Sequence, residues 1–332
     1  MPLSKSSSKV GVYADVANMY RTGGQRLQYD RLRKFACRDH AEPLRLNAYV
    51  TFDVERAARD RAYRQGAVSF HNKLRDYGYK VIVKEIRWFQ DQAGNRFGKT
   101  DAALDLAVDV LLQSENLDRV LLASGDGDLV NVVRALQNRG CRVEVVGLDD
   151  TAWQLREEAD LFISGYQIPD MVPMRRTGPE RISWGDIGSR VRGWCYWFEE
   201  DRGFGYMRFL KHIAPGLWFT DARHPDSPWE TAFVRAANMP PHVRTDRLPT
   251  RNYVFEFELT RSERGDGLQA LNVELVSSMA DRPSASTGLE DQTRNPRHRN
   301  DEDYDDYDES EEFDDEYDVE EDAEYDDYDE EA

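Results

Sequence analysis

From residue 10 onward, short runs of apolar residues alternate with longer stretches in which apolar residues recur every third or fourth position. The runs at 10–14, 46–52, 80–88, 120–123, 142–147 and 161–164 read as strands. The patterns between them predict helices over 54–77, ended by Gly78, and over 101–112, with Leu104, Val108, Leu111 and Leu112 at helical spacing. Two more helices are expected over 129–138, closed by Gly140, and over 151–158. Strands that alternate with helices imply an α/β fold built on a mostly parallel sheet, covered on both faces.

The pattern changes after residue 165. Residues 166–183 hold Pro169, Pro173 and Pro179 with few apolar positions and read as a linker. Across 184–278, strand-like runs at 194–198, 204–209, 217–220, 231–235, 253–259 and 271–276 are separated by turn-forming stretches such as 224–228 and 265–267. A small all-β domain, most simply a five-stranded OB-type barrel, is expected there. From 279 the chain turns to Ser, Pro, Arg and Asn, then to Asp, Glu and Tyr. Such a segment buries too little apolar area to offset the entropy of ordering, so 279–332 is expected to be a disordered acidic tail. Residues 1–9 are a polar leader without the apolar core of a signal peptide, and no apolar run reaches the roughly 20 residues of a membrane span. A cytoplasmic protein without membrane contact is expected.

Charge sharpens this division. The net charge of −19 hides a polarised chain, because residues 301–332 contain 22 acidic and no basic residues. The first 300 residues hold 41 acidic against 44 basic residues, a net charge of +3. That asymmetry suits a nucleic-acid binder with an acidic appendage, and equally an enzyme with a solubilising tail. Cys37, Cys141 and Cys195 are odd in number and too far apart for a CxxC ligand pair, so reduced thiols are expected rather than disulfides or structural zinc.

The candidate chemistry lies where strands of the α/β domain end. Asp15 follows the first strand, with Asn18 three residues on. Asp126 and Asp128 follow the fourth in the segment Ser124-Gly-Asp-Gly-Asp128, and Asp101 opens a helix with Asp105 one turn later. Open α/β sheets collect function at the carboxyl ends of their strands, where strand order reverses. Carboxylates gathered there stay ionised together only with a cation between them. Hard oxygen ligands without His or Cys point to Mg²⁺ or Mn²⁺, which can activate water and neutralise charge on a phosphate. Each residue also has a structural reading: Asp15 and Asp101 as helix caps, Asp109 as part of a solvated helix face, SGDGD as a tight turn. Arg56, Arg59, Arg61, Arg64, Lys73 and Arg75 on the long helix read mainly as a solvated face paired with acids. Lys99, two residues before Asp101, is the better phosphate candidate.

The stretches VYADVANMY (12–20), GKTDAALDLAVD (98–109) and ASGDGDLVNVV (123–133) together resemble the three motifs of the NYN family of PIN-like nucleases, over residues 10–165. The resemblance implies a PIN-like α/β/α sandwich, a metal held by acidic residues, and endonucleolytic action on RNA. It assigns Asp15, Asp101, Asp126 and Asp128 to catalysis and metal binding, with Asn18 in support. The spacing of acids at 101, 105 and 109 departs from the family pattern and leaves Asp105 to replace or join Asp101 as a ligand.

In the second domain, Tyr196-Trp-Phe-Glu-Glu-Asp-Arg-Gly-Phe-Gly-Tyr-Met207 places Phe204 and Tyr206 on one face of a strand, with Trp197 on its neighbour and Arg202 beside them. Unpaired bases stack on such rings for about 1–3 kcal/mol each. The alternative is that the rings fill the barrel. This stretch resembles the cold-shock domain, with Ala232-Phe-Val-Arg235 standing for its second motif and 267–273 for its final strand. The resemblance implies binding of a single strand by Trp197, Arg202, Phe204, Tyr206, Phe233 and Arg235, and Lys99 of the first domain is expected to join them as a phosphate contact. Arg235 and Ala236 replace the His and Phe of the second motif, which removes a stacking surface and adds a cation.

The function expected is a Mg²⁺- or Mn²⁺-dependent endoribonuclease whose barrel delivers single-stranded RNA; stacking alone does not distinguish single-stranded DNA. Two other readings stay open. One is a non-catalytic RNA-binding regulator that uses a degenerate NYN domain as scaffold. The other is a hydrolase of small phosphoesters, which has no need of the barrel. The tail is solubilising, or its Tyr residues among carboxylates mimic nucleic acid.

Overall fold

The computed structural model describes residues 7–91, 94–174, 182–262 and 267–281. The tail expected at 279–332 falls, from residue 282 on, outside the described residues.

The first half begins with β1 (Lys9–Asp15), α1 (Val16–Arg21), α2 (Tyr29–Ala36), β2 (Glu42–Phe52), α3 (Val54–Arg59), α4 (Arg61–Asp76) and β3 (Lys80–Glu85). It continues with β4 (Arg87–Gln90), β5 (Arg96–Lys99), α5 (Ala102–Gln113), β6 (Arg119–Ala123), α6 (Val130–Asn138), β7 (Arg142–Gly147), α7 (Trp153–Glu158) and β8 (Leu161–Ser164). Six strands form a parallel sheet in the order β3-β2-β1-β6-β7-β8. The central strands β1 and β6 are buried almost throughout, the pattern of a parallel sheet covered on both faces. On one face Met19, Leu32, Phe35 and Leu74 from α1, α2 and α4 pack against Val10, Val12 and Ala14. On the other, Leu106 and Val110 of α5 and Val133 and Leu136 of α6 pack against Tyr13, Val120 and Leu122. This is the PIN-like α/β/α sandwich expected.

Three local expectations are corrected. The helix expected over 54–77 is two helices, because Asp60 is extended (φ −114°, ψ 105°) and caps α4 by accepting the Tyr63 N–H at 3.0 Å. The strand expected over 80–88 stops at Glu85, and residues 87–90 leave the sheet to pair with β5 in a separate hairpin. The run 217–220 is not a strand: Leu217 is buried and its carbonyl accepts the Trp229 indole N–H at 2.9 Å.

The second half contains β9 (Arg190–Glu199), β10 (Phe204–Leu210), β11 (Trp229–Arg235), β12 (Tyr253–Arg261) and β13 (Leu268–Ser278). They close into a five-stranded barrel in the order β10-β11-β13-β12-β9. Its interior is filled by Cys195, Met207, Phe209, Val234, Phe255 and Phe257 among others. Cys195, like Cys37 and Cys141, is a free thiol. Among the described residues no helix is long and apolar enough to cross a membrane.

The two halves share one apolar cluster. Tyr166, Ile168, Met171 and Val172, at the start of the Pro-rich stretch, are buried in it with Trp194, Leu210, Leu217, Trp229, Val254 and Met279 of the barrel half. Polar contacts then set the docking. Arg192 of β9 donates to the carbonyls of Val172 (2.9 Å) and Pro173 (3.1 Å), while its Nε is paired with Glu256 at 2.8 Å. Arg156 of α7 donates to Asn252 Oδ1 at 2.7 Å. Ser277 of β13 donates to Asp149, which also accepts from the Tyr166 hydroxyl at 2.9 Å.

One buried ion network holds the sheet to α2. Glu144 of β7, 1% exposed, accepts two bonds from Arg38 at 2.7 and 2.9 Å and lies 3.9 Å from Arg119, which is itself bound to Asp39 at 2.7 Å. Removing one partner of such a pair leaves an uncompensated buried charge. Glu144→Ala should therefore destabilise the protein by about 3–5 kcal/mol. Urea unfolding followed by circular dichroism measures this, and an unchanged midpoint would show that the network contributes nothing.

Candidate active site and nucleic-acid interface

The chain runs β1 to β3 towards one edge of the sheet, then returns to start β6 beside β1 and continues to the other edge. Strand order thus reverses between β1 and β6, and the crevice at their carboxyl ends is where such sheets place ligands. The register Ala14↔Ala123 brings the residues that follow, Asp15 and Ser124–Asp128, to one point.

Asp15 is 5% exposed and accepts the Asn18 backbone N–H at 3.0 Å, so it caps α1 as well as facing the crevice. Asn18, also buried, accepts the Gly125 N–H at 2.7 Å and ties α1 to the SGDGD segment. Asp126 accepts the Asp128 N–H at 2.9 Å, and its own N–H donates to Ser124 Oγ at 3.2 Å. Burial pushes the Asp15 carboxyl up to about 6; the Asp126 charge adds to this, and the Asn18 and Ser124 hydrogen bonds oppose it. Gly125 and Gly127 sit against the chain itself: a Cβ at either would lie a tight 3.1 Å from Thr151 or Ala152.

Asp128 is exposed beside this pair. The α5 carboxylates are held differently. Asp105 is ion-paired with Lys84 of β3, and Asp101 lies 3.9 Å from Arg87 of β4. Asp109, read from sequence as solvated, accepts the Tyr49 hydroxyl at 2.8 Å. The structure therefore brings Asp15, Asn18 and Asp126 together and pairs Asp101 and Asp105 with cations. Among the described residues no group of three or more His, Cys, Asp or Glu is arranged to hold a metal ion. Asp15 and Asp126 are close enough for the Asp126 charge to act on Asp15, and their oxygens are donors of the hard type that Mg²⁺ and Mn²⁺ prefer.

Lys99 ends β5 with its Nζ 5.2 Å from the Phe97 ring. It belongs to a cationic and aromatic hairpin that the sequence reading, with one strand over 80–88, did not anticipate. Phe89 stacks on Phe97 at 5.9 Å, and Arg96 lies 4.5 Å over Trp88. Along α3 and α4, Arg56 pairs with Asp60 and Arg59 with Glu55, as a solvated face would.

The barrel carries its aromatic row on the outside. Trp197 and Tyr206 are each 37% exposed, and Phe204 and Phe233 are half-buried beside them. Phe204 lies 5.3 Å from Trp197 and 5.6 Å from Phe233, and Tyr206 lies 5.8 and 5.9 Å from the same two rings. Four rings on three adjacent strands make one surface, with Arg202 and Arg235 exposed at its edge.

The family model for the NYN domain matches residues 9–169. This stretch is an NYN domain. The family includes nucleases, and its members are typically nucleic-acid binding. The low amplitude and bright protein LabA of Synechococcus elongatus is 28% identical over 163 residues, covering 47% of this chain and 83% of LabA. A crystal structure of a protein of unknown function from Vibrio parahaemolyticus is 26% identical, covering 51% of this chain and 98% of that one, with a TM-score of 0.40.

Within the NYN domain, Asn18 is the joint between the two acidic segments. Asn18→Ala leaves the Gly125 N–H without its acceptor, at an expected cost of about 1–3 kcal/mol. Hydrogen exchange at Gly125 should accelerate accordingly; protection equal to that of the wild type would mean that Asn18 does not anchor the segment.

Proposed function

We propose that the protein is a Mg²⁺- or Mn²⁺-dependent endoribonuclease that cleaves single-stranded RNA held by the barrel. The observation that carries this reading is the Asp15–Asp126 pair at the strand-order reversal of an NYN domain, next to a docked barrel with an exposed aromatic row. The docking supports delivery of a strand to the pair. Asp149, which binds Ser277 of the barrel, belongs to the same loop as Thr151 and Ala152, which pack on Gly125 and Gly127.

Asp15 and Asp126 would hold the ion, with Asp128 beside them as a further oxygen donor. When bound, the ion supplies an activated water and neutralises charge on the phosphate. Asn18 and Ser124 fix the two carboxylates, Lys99 on its hairpin meets phosphates, and the aromatic face stacks bases. A second reading, a non-catalytic RNA-binding regulator, is favoured by one observation: Asp105 is ion-paired with Lys84, and Arg87 lies 3.9 Å from Asp101.

Labelled single-stranded RNA incubated with the full chain should be cut with Mg²⁺ or Mn²⁺ and left whole with EDTA. Asp15→Asn or Asp126→Asn should lower the rate roughly 10²-fold or more. Binding without cleavage under either metal supports the second reading instead.

The aromatic face has its own test in EDTA. Phe204→Ala and Tyr206→Ala should each weaken binding of single-stranded RNA by about 1–3 kcal/mol in fluorescence anisotropy. Unchanged affinity would make the rings structural. Single-stranded DNA as competitor measures any preference for the ribose.

A further inference from the structure

The aromatic face does not end at Tyr206. The Tyr196 ring lies 6.4 Å from Tyr206, and the Arg208 guanidinium lies 4.0 Å over Tyr196 and 5.9 Å from the Trp194 ring. Arg251 covers Trp194 from the loop before β12, at 5.6 Å. Tyr196 and the guanidinium groups of Arg208 and Arg251 thus extend the aromatic face into a track across the barrel, over the buried Trp194 ring.

The far end of this track is the seam with the NYN domain. Trp194 belongs to the apolar cluster that joins the two halves and meets Trp229 edge-on at 5.0 Å. Asn252, next in sequence to Arg251, accepts from Arg156 of α7 at 2.7 Å. The turn that starts α7 donates the Ala152 N–H to the Gly125 carbonyl at 3.0 Å, one residue from Asp126. Arg251 and Asp126 are therefore linked through a few short bonded steps.

The charges on this track are not consumed internally. Neither Arg208 nor Arg251 forms an ion pair with a carboxylate among the described residues; Arg208 bonds the Tyr196 side chain, and its Nε is covered without a protein acceptor. Burial holds Arg208 below its ordinary range, with the Arg251 charge acting the same way and Tyr196 and Asp221 opposing it. Asp221 is already engaged by Arg223 at 2.7 Å. Two neighbouring guanidinium groups, each stacked on an aromatic face with its donors unspent on acids, suit the phosphates of a strand whose bases stack nearby.

We propose that Arg208 and Arg251 grip two consecutive phosphates of a single strand and carry it from the aromatic face across the seam towards Asp15 and Asp126. This rests on the reading of the barrel as a single-strand binder. It makes the barrel a directional feeder, with contacts needed only by strands long enough to leave the aromatic face.

Anisotropy with the full chain in EDTA, over a salt series, tests it with oligouridines of about 4 and about 12 nucleotides. The Arg208→Gln, Arg251→Gln double variant should bind the short strand as the wild type does. For the long strand its salt slope should fall by about 1.4, the value for two phosphate contacts on a single strand. Arg251→Gln alone, at an exposed position, should lower that slope by about 0.7, and the double Lys variant should restore it. An unchanged slope on the long strand, or equal losses on both lengths, overturns the proposal while the aromatic reading stands. Wild-type protein that binds neither strand overturns both.

Discussion

Parallel pairing of β1 with β6 is the contact on which the site depends. These strands are distant in sequence, yet their register sets Ala14 opposite Ala123, so the residues that leave the two strands emerge together. Both strands are apolar on both faces and are covered by helices on each side, which leaves the carboxyl ends as the place where polar groups can collect. The acidic pair is then stabilised by short local bonds. Asp15 is a helix cap and Asp126 begins a turn, so each is oriented by backbone N–H groups before any ligand arrives.

The second constraint is the loop that follows β7. Asp149 donates its N–H to Thr22 at the end of α1 and accepts from Tyr166 and from Ser277 of the barrel. Thr151 and Ala152 press on the glycines of the acidic segment. One short loop therefore touches the α1 end, the acidic turn and the barrel. The space beside the glycines at 125 and 127 is taken by this loop.

Electrostatics divides the acids of the domain into two sets. Asp15 and Asp126 act on each other, whereas Asp101 and Asp105 have local cations from β4 and β3. The cations that meet these acids come from the edge strand β3 and from the separate β4–β5 hairpin. On the barrel, the division is between rings inside and rings outside. Phe209, Phe255 and Phe257 fill the interior, and the strand alternation then directs Trp197, Phe204, Tyr206 and Phe233 outward.

Much of this was legible in the sequence because local patterns carry it. Buried parallel strands read as apolar runs, the closed barrel as evenly spaced short strands, and the acids at strand ends as a crevice of an α/β sheet. The break at Asp60 was not legible, since Arg- and Ala-rich stretches on both sides of it favour helix and only the cap geometry interrupts them. Nor was the β4–β5 hairpin, because the apolar run at 80–88 continues through the point where the chain leaves the sheet. The sequence by itself determined the fold class, the alternation of the aromatic residues along their strands and the positions of the acids along the chain. Only the tertiary structure decided which acids meet, which are paired with Lys84 and Arg87, that the aromatic row faces outward, and how the barrel docks. Those outcomes depend on contacts between residues far apart in sequence, and no local periodicity encodes them.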